Sequence, residues 1–189
     1  MDVEMPDSEK MTSRELGLVL AQQLLDVQDL HFGLWDADLP VSMSNFAIAQ
    51  QRYTDLLLEE VKRLAGDHNA ARILDIGCGT GHMLEQLIAC GYEVDAVNPS
   101  PFLNRQVRER FSRLQAVSPT LFESTFENMP HAACQGHYDV LLCSESFQYI
   151  PLPDFFEKAP GLLQSGGYVI ICDFFKTDAH GDGAAGDRS

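Results

Sequence analysis

Basic residues are scarce: 13 Lys and Arg stand against 28 Asp and Glu among 189 residues, a formal charge of −15. A field of that sign repels polyanions, which argues against nucleic acid as a partner. One basic cluster exists, Arg105, Arg108, Arg110 and Arg113, at helix-surface spacing and interrupted by Glu109. It is either a solvated helix face or a dock for an anionic substrate. Long apolar runs are also missing, and none approaches the ~18 residues that a membrane span needs. The start, Met1-Asp2-Val3-Glu4, is acidic with no apolar segment behind it. No secretory signal is therefore expected, and a cytoplasmic location follows by default. The five cysteines, Cys78, Cys90, Cys134, Cys143 and Cys172, are odd in number and form no CxxC pair. That argues against a disulfide scaffold and against structural zinc. His82 follows a glycine loop without metal-ligand spacing, and His131 and His137 read as surface residues, so no metal site is expected.

What is present suits one globular domain with 45% apolar residues. Residues 1–11 are polar and expected to be disordered. Thr12 and Glu15 make a capping box, and Leu16, Val19, Leu20, Leu24 and Val27 recur at helical spacing, predicting an amphipathic helix to about Leu30. His31 to Asn45 breaks that pattern with Gly33 and Pro40. A second helix is predicted from Phe46 to Leu64, ending at Gly66. The rhythm then changes. Short apolar runs at Arg72–Ile76, Glu93–Val97, Leu121–Thr125, Tyr138–Cys143 and Tyr168–Phe174 predict strands. Helices are predicted between them at Gly81–Cys90, Pro101–Leu114 and Phe155–Leu163, the last ending at Gly166-Gly167. Such alternation predicts an α/β fold, a doubly wound parallel sheet with right-handed crossovers. Three regions result: 1–66 (a disordered start and N-terminal helices), 67–175 (the α/β core) and 176–189 (a flexible tail).

The stretch Ile73 to Gly81, ILDIGCGTG, carries the most chemistry. A buried strand runs into glycines at 77, 79 and 81 and then into a helix. Glycine lets a ligand lie against the backbone, and helix N-terminal amides receive a carboxylate or phosphate. The spacing is G-x-G-x-G, not the G-x-G-x-x-G of the dinucleotide fingerprint, which disfavours a nicotinamide-dependent oxidoreductase. Asp75 places a carboxylate inside an otherwise apolar strand. The run ILDIGCGTGHMLEQL resembles the first motif of class I S-adenosylmethionine-dependent methyltransferases, of the small-molecule, type 11-like kind. The resemblance extends from about His31 to Phe175. It implies a Rossmann-like fold with an N-terminal helical lid and S-adenosylmethionine as cofactor, converted to S-adenosylhomocysteine. It further implies that Asp75 positions the cofactor's amino-acid part, with Gly77, Cys78, Gly79 and Gly81 packing beneath it.

Departures from the family pattern accompany the match. Asn98, before Pro99, stands where the family has an acid for the ribose hydroxyls; it either bonds the ribose or serves as a turn residue. Thr125 stands where Asp is usual for the adenine. Phe126 either stacks on the purine or belongs to the core.

The fourth strand delivers Ser144-Glu145-Ser146-Phe147-Gln148-Tyr149-Ile150 to the carboxyl edge of the sheet, where ligands bind in such folds. By resemblance, Ser144 faces the cofactor, Gln148 and Tyr149 face the acceptor, and Glu145 is the first choice for a catalytic carboxylate. Glu145 otherwise caps the next turn or binds cofactor. His31-Phe32-Gly33-Leu34-Trp35, followed by Ala49-Gln50-Gln51-Arg52-Tyr53, resembles a lid that closes over the cofactor and excludes water. His31 is a second acid–base candidate or a packed lid residue. Trp35 and Tyr53 touch the acceptor or pack in the core. The family's sheet has two further strands after the fifth, which the 14 residues past Phe175 are too few to make. A longer parent chain or a partner such as a second copy is expected to cover the fifth strand.

Two functions fit: methyl transfer to a small-molecule acceptor (O-, N- or C-methylation open), or cofactor binding without turnover in a regulatory or partner-dependent protein.

Overall fold

The computed structural model describes residues 13–25, 27–66, 71–114 and 118–175. Thr12 of the expected capping box, the polar start and the tail lie outside them. Five parallel strands form one sheet in the order β3-β2-β1-β4-β5: β1 Arg72–Ile76, β2 Glu93–Val97, β3 Thr120–Phe122, β4 Tyr138–Ser144 and β5 Leu163–Cys172. The helices are α1 Ser13–Leu25, α2 Phe46–Ala65, α3 His82–Ala89, α4 Pro101–Leu114 and α5 Leu152–Leu162. This is the doubly wound α/β arrangement that the alternation of patterns predicts.

Residues alternate faces along each strand, so the sheet feeds two cores. Ile73, Val140 and Leu142 pack with Tyr53, Leu57 and Val61 of α2, Met83, Leu84 and Leu87 of α3, and Val107 and Phe111 of α4. Leu74, Ile76, Leu141 and Cys143 face the other way, onto Phe155, Ala159 and Leu162 of α5. Central residues such as Leu74 and Leu141 are wholly buried, and truncating one to Ala costs about 2–5 kcal/mol. The alternation also puts Asp75 on the face of Ile73, toward α2 and α3.

Three expectations need correction. The first helix stops at Leu25, not Leu30. Residues 27–31 are irregular instead, bending at Leu30 and His31, with Val27, Asp29 and His31 buried and Gln28 and Leu30 exposed. Leu16, Leu20 and Leu24, which make the apolar stripe of the expected amphipathic helix, are exposed on α1. At the other end, α5 passes directly into β5 at Leu163, so Gly166-Gly167 lies within the strand. There the pairing jumps from Tyr138↔Leu163 to Val140↔Tyr168, and residues 164–167 bulge out opposite Asp139. Glycine suits that bulge because Gly166 has φ +85°. β5 is an edge of the sheet and leaves Tyr168 and Val169 partly exposed.

Candidate functional site

β1 ends in a turn that uses all three glycines at positive φ: Gly77 at +83°, Gly79 at +57° and Gly81 at +82°. The Gly77 amide donates to the Val97 carbonyl at the end of β2 (2.8 Å), and the Gly81 amide closes the turn on Cys78 (3.0 Å). The three glycines serve different neighbours. A Cβ on Gly77 would lie 2.5 Å from the Ser146 Cβ, and one on Gly81 would lie 3.1 Å from Val107. At those two positions the missing side chain makes room for close packing within the chain. Gly79 has room, with Leu30 at 3.6 Å. The Ser146 hydroxyl also donates a hydrogen bond to the Ile76 carbonyl, tying the turn after β4 to the glycine loop.

Asp75 is 1% exposed, and its Oδ2 has no hydrogen-bond partner. Burial, with the nearby Asp29 charge adding to it, pushes its carboxyl up to about 7. An orphaned carboxylate oxygen under a glycine loop fits a cationic head group, such as the ammonium of an amino-acid-tailed nucleoside. Cys78 is buried beside it, with its thiol pushed up by burial and by Asp75.

Asn98 closes β2 and is buried. Its amide donates to the Gly79 carbonyl (3.5 Å), and its Oδ1 accepts from the Ser100 amide (3.4 Å). Both halves are therefore engaged by the loop and turn around exposed Pro99. The Thr125 hydroxyl accepts from Asn128 (2.8 Å). The Phe126 ring is 3% exposed and packs on Phe155 and His131, so it belongs to the core and offers no face to a purine. His131 is correspondingly half-buried, not a surface residue.

The lid lies over this edge. Gly33, at φ +81°, touches α2 so closely that a Cβ would sit 2.6 Å from the Ala49 carbonyl carbon. The Leu34 amide donates to Ala49 (2.8 Å), and the Trp35 indole donates to the Phe32 carbonyl (2.9 Å). Arg52 grips Asp38 with two bonds of 3.0 and 3.1 Å. His31 is buried, stacks on Tyr53 (centroids 4.2 Å) and leaves Nδ1 unpartnered. The Tyr53 hydroxyl donates to the Cys172 carbonyl (3.1 Å) and accepts from Ser144 (3.2 Å), joining the lid helix to the ends of β4 and β5. Burial raises the Tyr53 phenol far above its ordinary range.

Glu145 follows β4 at φ +50°, the one non-glycine residue at positive φ among those described. Such strain gathers at functional positions. Its Oε1 accepts from the Phe32 amide of the lid (3.2 Å). Burial raises its carboxyl above the usual range, the Phe32 bond and His31 oppose this, and Asp173 adds to it. Gln148 gives both its backbone amide (3.0 Å) and its side-chain amide (3.1 Å) to Asp173, while Tyr149 is exposed. The structure thus brings Glu145, His31, Tyr53 and Ser144 together beside the lid. Trp35, at the lid's outer turn, tilts onto Phe46.

Asp29, His82, Ser146 and Asp173 were not anticipated from sequence. Asp29 had a signal, the alternation Val-Gln-Asp-Leu-His. Ser146 had none, because its partner is 70 residues away in the chain. Of the four arginines, Arg105, Arg108 and Arg113 lie exposed on α4, whereas Arg110 is largely buried. Arg108 pairs with Glu123, Arg110 with Glu85 (2.6 Å), Arg113 bonds the Glu109 carbonyl, and Arg105 lies over Phe102. Among the described residues no group of three or more metal-ligating side chains occurs, and no helix is long and apolar enough to cross a membrane.

Comparison with known proteins agrees with this geometry. Residues 48–186 match the family described as "Methyltransferase domain". A ubiquinone biosynthesis O-methyltransferase of Xanthomonas euvesicatoria pv. vesicatoria is 29% identical over 147 residues, which are 77% of this chain and 57% of that protein. The chain thus spans little more than half of that relative's length. The [4+2]-cyclase SpnF shares the fold at a TM-score of 0.69 and 20% identity, over 90% of this chain and 64% of its own. The geranyl diphosphate C-methyltransferase of Streptomyces coelicolor A3(2), solved with S-adenosyl-L-homocysteine, does so at 0.64 and 18%, over 80% and 58%. With its glycine loop, its parallel sheet and a family match over most of its length, the chain belongs to the methyltransferase-domain family.

Proposed function

We propose that the chain binds S-adenosylmethionine across the glycine loop and transfers its methyl group to a hydroxyl of a small-molecule acceptor. The observation that carries this is Asp75, a buried carboxylate with an unpartnered oxygen beneath the turn that Gly77 to Gly81 makes. Asp75 would hold the ammonium, the Gly79 backbone would admit the amino-acid part, and Asn98 would face the ribose. Thr125 and the Phe126 backbone would border the adenine. Bound there, the cofactor supplies an electrophilic methyl on a sulfonium that is already a good leaving group.

Positioning and water exclusion are then the main tasks left to the chain. The lid residues Phe32 to Trp35 and the His31–Tyr53 stack do the excluding. Glu145, at the end of β4 with its proton affinity raised by burial, would take the hydroxyl proton as the oxygen attacks. The oxygen is favoured as acceptor atom by that base and by the O-methyltransferase named among the relatives. The relatives give no support to cofactor binding without turnover.

Incubation with methyl-labelled cofactor and a panel of phenols, alcohols, amines and thiols tests this reading. Labelled ethers from hydroxyl acceptors are expected. Label appearing only on amines or carbon would refute the acceptor assignment, and no label on any small molecule would refute transfer.

A further inference from the structure

The segment between α1 and α2 carries a buried carboxylate that the proposed chemistry does not use. Asp29 is 9% exposed, and its Oδ2 meets His82 Nδ1 at 2.6 Å and His31 Nε2 at 3.6 Å. His31 belongs to the lid; His82 is the first residue of α3, directly after the glycine loop. One oxygen is therefore hydrogen-bonded to His82 and close to His31, whose Nε2 also lies 3.5 Å from the Thr54 hydroxyl. Neighbouring contacts hold the same strip of chain. The Thr80 hydroxyl donates to the Gln28 carbonyl (2.6 Å), Arg110 donates to the Gln28 side chain (3.1 Å), and Gln50 of α2 donates to the carbonyls of Asp29 and His31 (3.1 and 2.7 Å).

A charge at this depth costs several kcal/mol unless it is paired. An apolar residue would pack the strip at lower cost, so the carboxylate calls for a reason. We propose that Asp29 is a positioning residue that latches the lid onto the glycine loop and couples lid closure to the binding of a cationic ligand beside Asp75. With the lid closed, the Asp29–His82 contact and the Thr80–Gln28 bond hold the end of the glycine loop and the start of α3 in place, so a ligand seated on that loop beside Asp75 meets it already ordered. Closure then strengthens cation binding, and the cation strengthens closure by the same factor. Burial raises the Asp29 carboxyl, but hydrogen bonds and charge from His31 and His82 outweigh it and hold the group at about 2, so the latch stays ionised. The coupling rests on the proposed cofactor site; the latch itself does not.

Trp35 is the single tryptophan of the chain and lies in the lid, so its accessibility reports lid opening. Acrylamide quenching of the ligand-free chain is expected to be at least twofold stronger in Asp29→Asn and in His82→Gln than in the wild type. The double variant should add little to either, since one bond is broken in each case. S-adenosylmethionine should bind at least fivefold more weakly to Asp29→Asn. In the wild type the 2.6 Å contact predicts a His82 Nδ1 proton well downfield in the proton spectrum. Its absence overturns the latch, however the variants fold. Quenching unchanged in both folded variants overturns it as well. Faster quenching with unchanged cofactor affinity overturns the coupling. Failure of the wild type to bind S-adenosylmethionine is a separate result, against the proposed function and with it the coupling.

Discussion

Asp75 makes cofactor affinity a function of pH in a way that can be worked out. In the free chain its carboxyl titrates at about 7, because burial and the Asp29 charge disfavour the anion. A ligand ammonium on Oδ2 would favour the anion strongly, so binding must expel the proton wherever the free chain holds it. Each pH unit below 7 then weakens binding by roughly tenfold, about 1.4 kcal/mol. Between about pH 8 and pH 6 the dissociation constant should rise by roughly tenfold, with close to one proton released at the lower end. Isothermal titration in buffers of different ionisation enthalpy measures both quantities.

Asp29, His31 and His82 share the network, so Asp75→Asn is the control: its affinity should be low and its dependence on pH much flatter. The same shift has a consequence for stability. A carboxyl whose folded pKa is raised binds a proton that the unfolded chain has already lost between about pH 4 and 7. The ligand-free chain should therefore lose stability as pH rises through that window, by up to about 4 kcal/mol, and then level off. A dissociation constant constant within twofold from pH 6 to 8 would refute the reasoning, as would an Asp75→Asn variant with the wild-type pH profile.

Gly77→Ala should destabilise the chain by about 2–4 kcal/mol, from a Cβ at positive φ and its clash with Ser146, read as a lower urea midpoint. Adding Ser146→Gly should restore part of that loss; no restoration would mean that the close approach is not the cause. Glu145→Gln should lower turnover at least tenfold while changing cofactor affinity less than twofold, because the proposed mechanism uses the carboxylate only to take the acceptor's proton. Equal losses in both would move Glu145 from the proton-transfer step to cofactor binding.

Much of the frame was legible from the chain. Arg72–Ile76, Glu93–Val97 and Pro101–Leu114 fall where periodicity put them, because short apolar runs bounded by turn residues leave little choice. The failures share a cause in tertiary contact. Val27 matches the helical stripe, yet it sits in an irregular strip, past the end of α1, whose alternate residues are buried. Gly166-Gly167 looks like a helix stop, yet α5 ends four residues earlier and the pair makes a strand bulge. At the site, Asp75 and the glycines were visible because the motif is local. Which glycine faces Ser146, which faces Val107 and which faces the lid depends on residues 26 to 69 positions away, and no local pattern encodes that. Phe126 shows the same limit, since only the fold reveals that Phe155 already covers its ring.

The central claim is a site for an adenosyl ligand with a cationic amino-acid tail, built on Asp75 and the glycine loop. Isothermal titration of the folded chain with S-adenosylmethionine, S-adenosylhomocysteine and a nicotinamide dinucleotide tests it most directly. The structure predicts one site per chain for the first two, competition between them, weakening by Asp75→Asn and no binding of the dinucleotide. A folded sample that binds neither S-adenosylmethionine nor S-adenosylhomocysteine would contradict it.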